Sequence, residues 1–234
     1  MVINTISWCQ LAFSRFPPEI LTEYDVISEG FFIRENSFQL RIKRLGDFLV
    51  SIFLLFLTFP IIFFASILIK LEDNGPIFYS QIRTGKFGKR FRIWKLRTMR
   101  VNAEKDGIQW SKRNDYRITN IGRFLRASRI DELPQLVSVL IGDMSLIGPR
   151  PERPEIDSNL KEIIPYYDLR YLVKPGLSGW AQVNYPYGSS IEDSEMKLTY
   201  DFFYIKNFSF WLDLLIFFRT IRLVTRREGA ISIN

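Results

Sequence analysis

A chain of 234 residues with 47 % hydrophobic composition is long enough to form a domain with a real core. It has no histidine and one cysteine, Cys9, which excludes imidazole general bases, Ser-His-Asp triads, His-ligated zinc, intramolecular disulfides and thiolate clusters. What remains is chemistry by carboxylates, hydroxyls, Lys, Arg and oxygen-bound hard cations, in a protein whose net charge of +7 asks for an anionic partner.

The lone cysteine fits a reducing, cytosol-facing location. The 21 Phe, 10 Tyr and 5 Trp favour a membrane surface over free solution. Residues 1–40 mix short apolar pieces with Glu19, Glu23, Asp25 and Glu29, are interrupted by Pro17-Pro18, and read as a peripheral extension without an assignable role.

Phe48 to Ile69 is an uncharged run that would reach about 33 Å as a straight helix, enough to cross a bilayer core. Pro60 lies near its middle, where it removes a backbone donor and clashes with the preceding turn, so a bend or break is expected there. Basic residues flank both sides, Arg41, Lys43 and Arg44 before the run and Lys70, Arg83, Lys86, Lys89 and Arg90 after it. Both ends are therefore expected on the cytoplasmic side, as a re-entrant helix requires. An ordinary kinked transmembrane helix is the competing reading. The run lies too far from Met1 for a signal peptide, and no small-residue cleavage site follows it.

From Gly75 to Arg100, Ile77, Tyr79, Phe91, Ile93 and Lys95 alternate with polar residues, and Gly85 and Gly88 can form a turn, which predicts a β-hairpin. Its many cations read mainly as a solvated or headgroup-facing ribbon. Lys95 and Arg97, beside Leu96 and Met99, are the ones expected to meet a fixed anion.

Downstream, Leu133, Leu136, Val137, Leu140 and Ile141 fall on one helical face, and Pro134 is tolerated only in a first turn, so the helix should start close to Asp131. Asp131 then reads as an N-cap beside exposed amides, a natural anion site, and capping alone would account for it. Three features point further: Glu132 adds a second carboxylate able to share a hard cation, Arg126 and Arg129 lie just upstream, and a rigid GPRPE turn follows with Arg150 and Glu152. Paired carboxylates among arginines suit phosphoryl transfer, in which guanidinium forks bind phosphate oxygens, a divalent cation bridges a diphosphate and a carboxylate attacks phosphorus. Phe202 to Val224 holds apolar residues with interspersed charges and too short an uncharged stretch to span; it reads as an interfacial amphipathic helix, with a buried core helix as the alternative.

Taken together, KRLGD (Lys43 to Asp47), the proline-broken run, GPIFYSQIRTGKFGKRFRIWKLRTM, LRASRIDELPQL, GDMSLIGPRPE, KPGLSGWAQVN and YDFFYIKNFSFWLDLLIFFRTI resemble the bacterial sugar transferases, the monotopic phosphoglycosyl transferases. The resemblance covers about Arg41 to Arg227. It implies a helix-rich α+β fold: a re-entrant, Pro-broken membrane helix and interfacial amphipathic helices around a small cytosolic catalytic domain with a β-hairpin. The corresponding division is 1–40 extension, 41–72 re-entrant helix and 73–228 catalytic domain.

The resemblance further implies that Asp131 attacks the β-phosphate of a UDP-sugar, releasing UMP, and that a polyprenyl (undecaprenyl) phosphate then takes the sugar phosphate, the first membrane step of exopolysaccharide or glycoconjugate synthesis. Glu132 completes an Asp-Glu dyad, Mg²⁺ binds at Asp131, and Arg126 and Arg150 match family arginines near the phosphates. Lys43, Arg44 and Asp47 match a motif at the cytoplasmic mouth of the membrane helix, where anchoring competes with contact to the lipid phosphate. With Lys95, Arg97, Lys43 and Arg44 counted as substrate-binding, the expected partners are a UDP-sugar, polyprenyl phosphate and membrane lipid at the cytoplasmic face of the inner membrane, and no nucleic acid; a homo-oligomer is left open.

Some family members continue WAQVN with Gly-Arg, whereas here Tyr185, Pro186, Tyr187 and Gly188 follow Asn184, so no contact is assigned to that loop. Larger relatives carry a multi-span region before the catalytic part, and this chain reads as a compact form. Two other function classes fit parts of the sequence. A membrane-associated nucleic-acid or scaffold protein would use the net charge but leaves Asp131 and Glu132 without a purpose. A conventional glycosyltransferase would release UDP rather than UMP.

Overall fold

The computed structural model describes residues 5–28, 31, 37–103, 115–186, 188 and 190–226. It is helix-rich with two small β elements; α1 (Thr5–Phe13) and α2 (Glu23–Ser28) precede the long apolar helix, and α6 (Pro154–Ile163) lies in the later half of the chain.

The uncharged run lies within α3 (Phe38–Asp73), 36 residues that would measure about 54 Å if straight. Ser37 caps its start by accepting from the Leu40 N–H, and Asn74, in a left-handed conformation, closes its end. The helix continues through Pro60 without the expected break. Proline removes only one donor, and the rest of the helical backbone ladder is kept around it. Thr58 and Ser66 donate back to the carbonyls of Leu54 and Ile62 at 2.7 Å, a bond that favours bending over rupture.

Both ends of α3 are fastened, while its middle is bare. Near the start, Lys43 pairs with Asp213 at 2.7 Å, and Asp47 accepts from the Leu146 N–H at 3.1 Å. Near the end, Ala65 and Ile69 pack with Leu96 and Leu125, Glu72 accepts from the Asn120 N–H, and Asp73 pairs with Arg97. Between them Phe53, Phe56, Phe59 and Phe64 are 63 %, 83 %, 67 % and 64 % exposed, which an ordinary core helix would not tolerate.

The expected hairpin is β1 (Phe78–Thr84) against β2 (Arg90–Leu96), antiparallel with Tyr79 opposite Lys95 and Arg83 opposite Phe91. Gly85 donates to the Lys89 carbonyl, and Gly88 takes φ +73°, which only glycine adopts without strain. Strand alternation turns Arg90, Arg92 and Trp94 outward and Phe91, Ile93 and Lys95 inward. Four elements follow: α4 (Asn120–Ala127), a 3-10 helix (Ile130–Gln135), the short α5 (Leu136–Ile141) and β3 (Ser145–Ile147). β3 pairs in parallel with β4 (Gly176–Ser178). Of the predicted apolar face only Leu136 is fully buried, Leu133 and Leu140 are half-buried, and Val137 and Ile141 are exposed, while Val139, outside that face, is buried. The 3-10 stretch winds three residues per turn rather than 3.6, which rotates the inward face by about a third of a turn over its six residues.

The stretch from Phe202 to Val224 is two helices rather than one. α8 (Ile191–Lys206) buries Leu198, Phe202, Tyr204 and Ile205 in the main core, and the chain turns at residues 207–209. α9 (Phe210–Arg226) leaves Trp211, Leu215 and Phe218 exposed at i, i+4 and i+7, an apolar row suited to an interface. The core reading thus holds for α8, and α9 has the exposed apolar row that an interfacial helix would present.

The N-terminal segment enters the same core. Phe16, Leu21 and Phe31 are buried with Trp180 and Phe202; the Phe16 N–H bonds the Thr199 carbonyl at 2.9 Å, and the Trp180 indole donates to the Ser14 carbonyl at 3.0 Å. It is therefore packed into the domain rather than laid beside it.

Candidate active site

Asp131 and Glu132 lie in the first turn of the six-residue 3-10 helix, 7 % and 8 % exposed. The residue flanking this turn is Arg129, held at φ +55°, so Asp131 is inside the turn and is not its N-cap. A left-handed non-glycine residue costs about 1 kcal/mol and persists only where the surroundings over-determine it. Here it sits immediately before two buried carboxylates. The Glu132 N–H donates to the Arg129 carbonyl, so the cationic character of the site comes from side chains more than from helix amides.

The two carboxylates are placed in opposite circumstances. Glu132 accepts from Lys95 Nζ at 2.8 Å and from Arg150 Nη2 at 2.5 Å on Oε1, while Arg129 Nη1 lies 3.6 Å from Oε2. Burial works against its charge, yet Arg150, Lys95 and Arg129 together outweigh burial and hold its carboxyl well below the usual range. Asp131, next to it, has no hydrogen bond or ion pair among the described residues. Burial, and secondarily the Glu132 charge, push its carboxyl up to about 6, against the pull of Lys95, Arg126 and Arg150. Each of those three cations is therefore within electrostatic reach of an unengaged carboxylate.

Each cation arrives on a separate element. Lys95 is inward on β2 by strand parity, and burial lowers its own pKa despite the Glu132 partner. Arg126 ends α4, where its Nε donates to Thr98 Oγ1 at 2.8 Å. Arg150 is presented by the turn after β3. Five of the predicted residues, Asp131, Glu132, Lys95, Arg126 and Arg150, thus come together.

Three others are engaged elsewhere. Arg97 pairs with Asp73 and ties β2 to the end of α3. Lys43 pairs with Asp213, which also accepts from the Tyr204 hydroxyl at 2.8 Å. Arg44 donates to the Val139 and Leu140 carbonyls at 2.5 and 2.7 Å, closing the C-terminus of α5 just before Gly142. In the loop after α7 (Trp180–Asn184), Tyr187 lies outside the described residues.

The sequence reading passed over Arg129, singled out only as an upstream arginine, and Arg83. Arg83 shares the inward face of the hairpin with Lys95 and donates to the Pro151 carbonyl at 3.2 Å. Parity was the available signal: residues 79, 81 and 83 face the same way, opposite 95, 93 and 91.

The donor set also bears on a hard cation. Among the described residues no three acidic, Cys or His side chains gather as a metal cage, and the Glu132 oxygens already have partners. Among the described residues of the site, Asp131 is the carboxylate left without a partner. That fits a magnesium ion which takes most of its oxygens from a bound diphosphate and water, the usual arrangement for this ion in phosphoryl-transfer sites.

A family model described as bacterial sugar transferase matches residues 38–227. A UDP-N-acetylgalactosamine-undecaprenyl-phosphate N-acetylgalactosaminephosphotransferase of Aeromonas hydrophila is 47 % identical over 189 residues, covering 81 % of this chain and 45 % of the relative. A UDP-glucose:undecaprenyl-phosphate glucose-1-phosphate transferase of Caulobacter vibrioides is 42 % identical over 80 % of this chain and 71 % of the relative. The uncharacterized sugar transferase EpsL of Bacillus subtilis is 41 % identical over 82 % of this chain and 92 % of its own length. The chain spans less than half the length of the first of these and nearly all of the last. The dyad, its cations and the long apolar helix all lie inside the matched range, and the chain belongs to the bacterial sugar transferase family.

Proposed function

We propose that this protein transfers a sugar phosphate from a UDP-sugar to a polyprenyl (undecaprenyl) phosphate, giving polyprenyl-diphosphate-sugar and UMP by way of a covalent phosphosugar on Asp131. The observation that carries this reading is the asymmetry of the dyad: Glu132 is held by three cations, whereas Asp131 is buried, has no hydrogen-bond or ion-pair partner among the described residues, and lies within reach of Lys95, Arg126 and Arg150.

In the first step an Asp131 oxygen forms a bond to the β-phosphorus, the bond from that phosphorus to the bridging oxygen breaks, and UMP leaves with the electron pair. Lys95, Arg126 and Arg150 offset the charge that spreads over the phosphoryl oxygens. A carboxyl that titrates at about 6 is mostly ionised at neutral pH and needs no separate base. In the second step an oxygen of the lipid phosphate attacks the same phosphorus, and Asp131 leaves as a carboxylate. Magnesium held at Asp131 would neutralise diphosphate charge and orient the phosphoryl group. Glu132 keeps the cations converged and supplies no oxygen to phosphorus.

This reaction needs a lipid acceptor at the site. Re-entry of α3 into one leaflet of the inner membrane from the cytoplasmic face accounts for that, and it is supported by the fastening of both helix ends to the same catalytic part around an exposed apolar middle. A helix crossing the bilayer would carry those ends to opposite sides, about 30 Å apart. Cysteines placed at Arg41 and at Glu72 are accordingly expected to react with an impermeant maleimide from the same side of oriented vesicles. Labelling from opposite sides would make α3 a span.

The covalent step has its own test. Without acceptor, the protein mixed with magnesium and a UDP-sugar radiolabelled in the β-phosphate should release at most one equivalent of UMP and retain the label. Adding polyprenyl phosphate should discharge it into lipid. Formation of UDP would identify a conventional glycosyltransferase, and turnover with no labelled protein would replace the covalent route by direct transfer.

A further inference from the structure

The Pro149–Glu152 turn, which presents Arg150, is fixed from four directions. Pro149 and Pro151 have no N–H to anchor the turn themselves, so its carbonyls do the anchoring. The Pro149 carbonyl accepts from the Gly176 N–H at 2.8 Å and the Glu152 carbonyl from the Thr84 N–H at 3.0 Å. The Pro151 carbonyl accepts from Arg83 and the Arg150 carbonyl from Arg170 Nη2, at 3.2 and 2.8 Å. Two of the four donors are thus guanidinium groups reaching backbone oxygen, Arg83 half-buried and Arg170 buried.

Arg170 is the more deeply set of the two. Its Nη2 also meets Asp201 Oδ2 at 3.0 Å, its Nη1 donates to the Tyr167 hydroxyl, and that hydroxyl donates to Asp157 Oδ1 at 3.2 Å. Arg170, Asp201, Tyr167 and Asp157 are 8 %, 1 %, 2 % and 2 % exposed. Burying this much charge is unfavourable compared with a packed apolar cluster of the same volume, so its value lies in direction rather than stability. A guanidinium fork can bond three groups in fixed geometry, which an ammonium cannot.

We infer that Arg170 is a positioning residue of the phosphate site: by bonding the Arg150 carbonyl, with Asp201 and Tyr167 fixing its own orientation, it sets where the Arg150 guanidinium meets Glu132 and the diphosphate. The inference rests on the function proposed above, and it adds a residue 20 positions from Arg150 that touches neither carboxylate of the dyad.

A double-mutant cycle tests it. Arg170→Lys keeps the charge opposite Asp201 and loses the fork. It is expected to slow UMP release about 30-fold in an otherwise native protein, as misplacement of a clamp by a fraction of an ångström does. In an Arg150→Ala background, where the carbonyl remains but there is no guanidinium left to place, the same change should cost less than about threefold. Tyr167→Phe, which removes one partner of the fork and keeps the ring, is the milder second variant and should show the same dependence on background.

The cycle is also read as the dissociation constant for UDP by calorimetry, so that it reports even without turnover. Equal losses in both backgrounds would reduce Arg170 to a general structural role and overturn the inference. A native protein that binds UDP with the expected coupling yet never releases UMP would instead overturn the proposed reaction.

Discussion

Asp131→Asn is expected to abolish UMP release, by about 10⁴-fold or more, because an amide cannot form the covalent phosphosugar. The same variant should be at least as stable as the native protein at pH 7. Burial, with Glu132 beside it, raises the Asp131 carboxyl from 3.8 to about 6 in the folded state. A group raised in this way stabilises the fold fully only below its unfolded value, and that contribution is lost as pH rises through the folded value. At neutral pH the native chain therefore carries the cost of an ionised carboxylate in a dry site, and the uncharged amide does not. Chemical denaturation from pH 7 down to pH 4 should show any stability advantage of the variant shrinking below about pH 6. Loss of activity with gain of stability is the signature of a residue retained for chemistry. Native-level UMP release by this variant would remove residue 131 from the reaction.

How far the sequence revealed this arrangement depended on the range of the interaction concerned. Local periodicities were readable. The uncharged run gave α3, and alternation around Gly85 and Gly88 gave the hairpin with Lys95 facing in. The carboxylate pair was readable as well, because Asp131 and Glu132 are adjacent and cations are dense nearby in the chain. Partners distant in sequence were not. Lys43 finds Asp213 across 170 positions, and Arg44 finds the Val139 carbonyl across 95, so nothing local distinguished these structural cations from Lys95 and Arg150.

The same reason hides the core role of Phe16. Its backbone partner is Thr199, and its burial depends on α7 and α8. Nor could spacing show that Asp131 lies within a 3-10 turn instead of capping a helix. The left-handed Arg129 that decides this is a conformation the residue type disfavours, imposed by packing around the site. Among the cations, parity on β1 was enough to separate Arg83 from the outward Arg90 and Arg92 once the register was known. Parity groups the residues of one strand, but the register that pairs them with β2 is set by tertiary packing and is not readable from the chain alone.

Glu132→Gln should behave oppositely to the change at its neighbour. It leaves Lys95, Arg129 and Arg150 converging on a neutral group, and removal of one partner from a buried charge cluster costs about 3 kcal/mol of stability. Burial disfavours the Glu132 charge, but Arg150 and Lys95 overcome it and hold the folded carboxyl well below 4.5. A depressed group stabilises the fold above its unfolded value and ceases to do so as pH falls through the folded one. The stability difference between native protein and Glu132→Gln should therefore be full at pH 7 and narrow progressively below about pH 4.5. Activity should fall as well, by about 10²-fold, since the three cations lose the anion that holds them in register. Unlike Asp131→Asn, this variant should still accumulate labelled protein from a β-labelled UDP-sugar, slowly, because the attacking oxygen is untouched. Complete absence of label after long incubation would place Glu132 in the bond-making step and move the division of labour within the dyad.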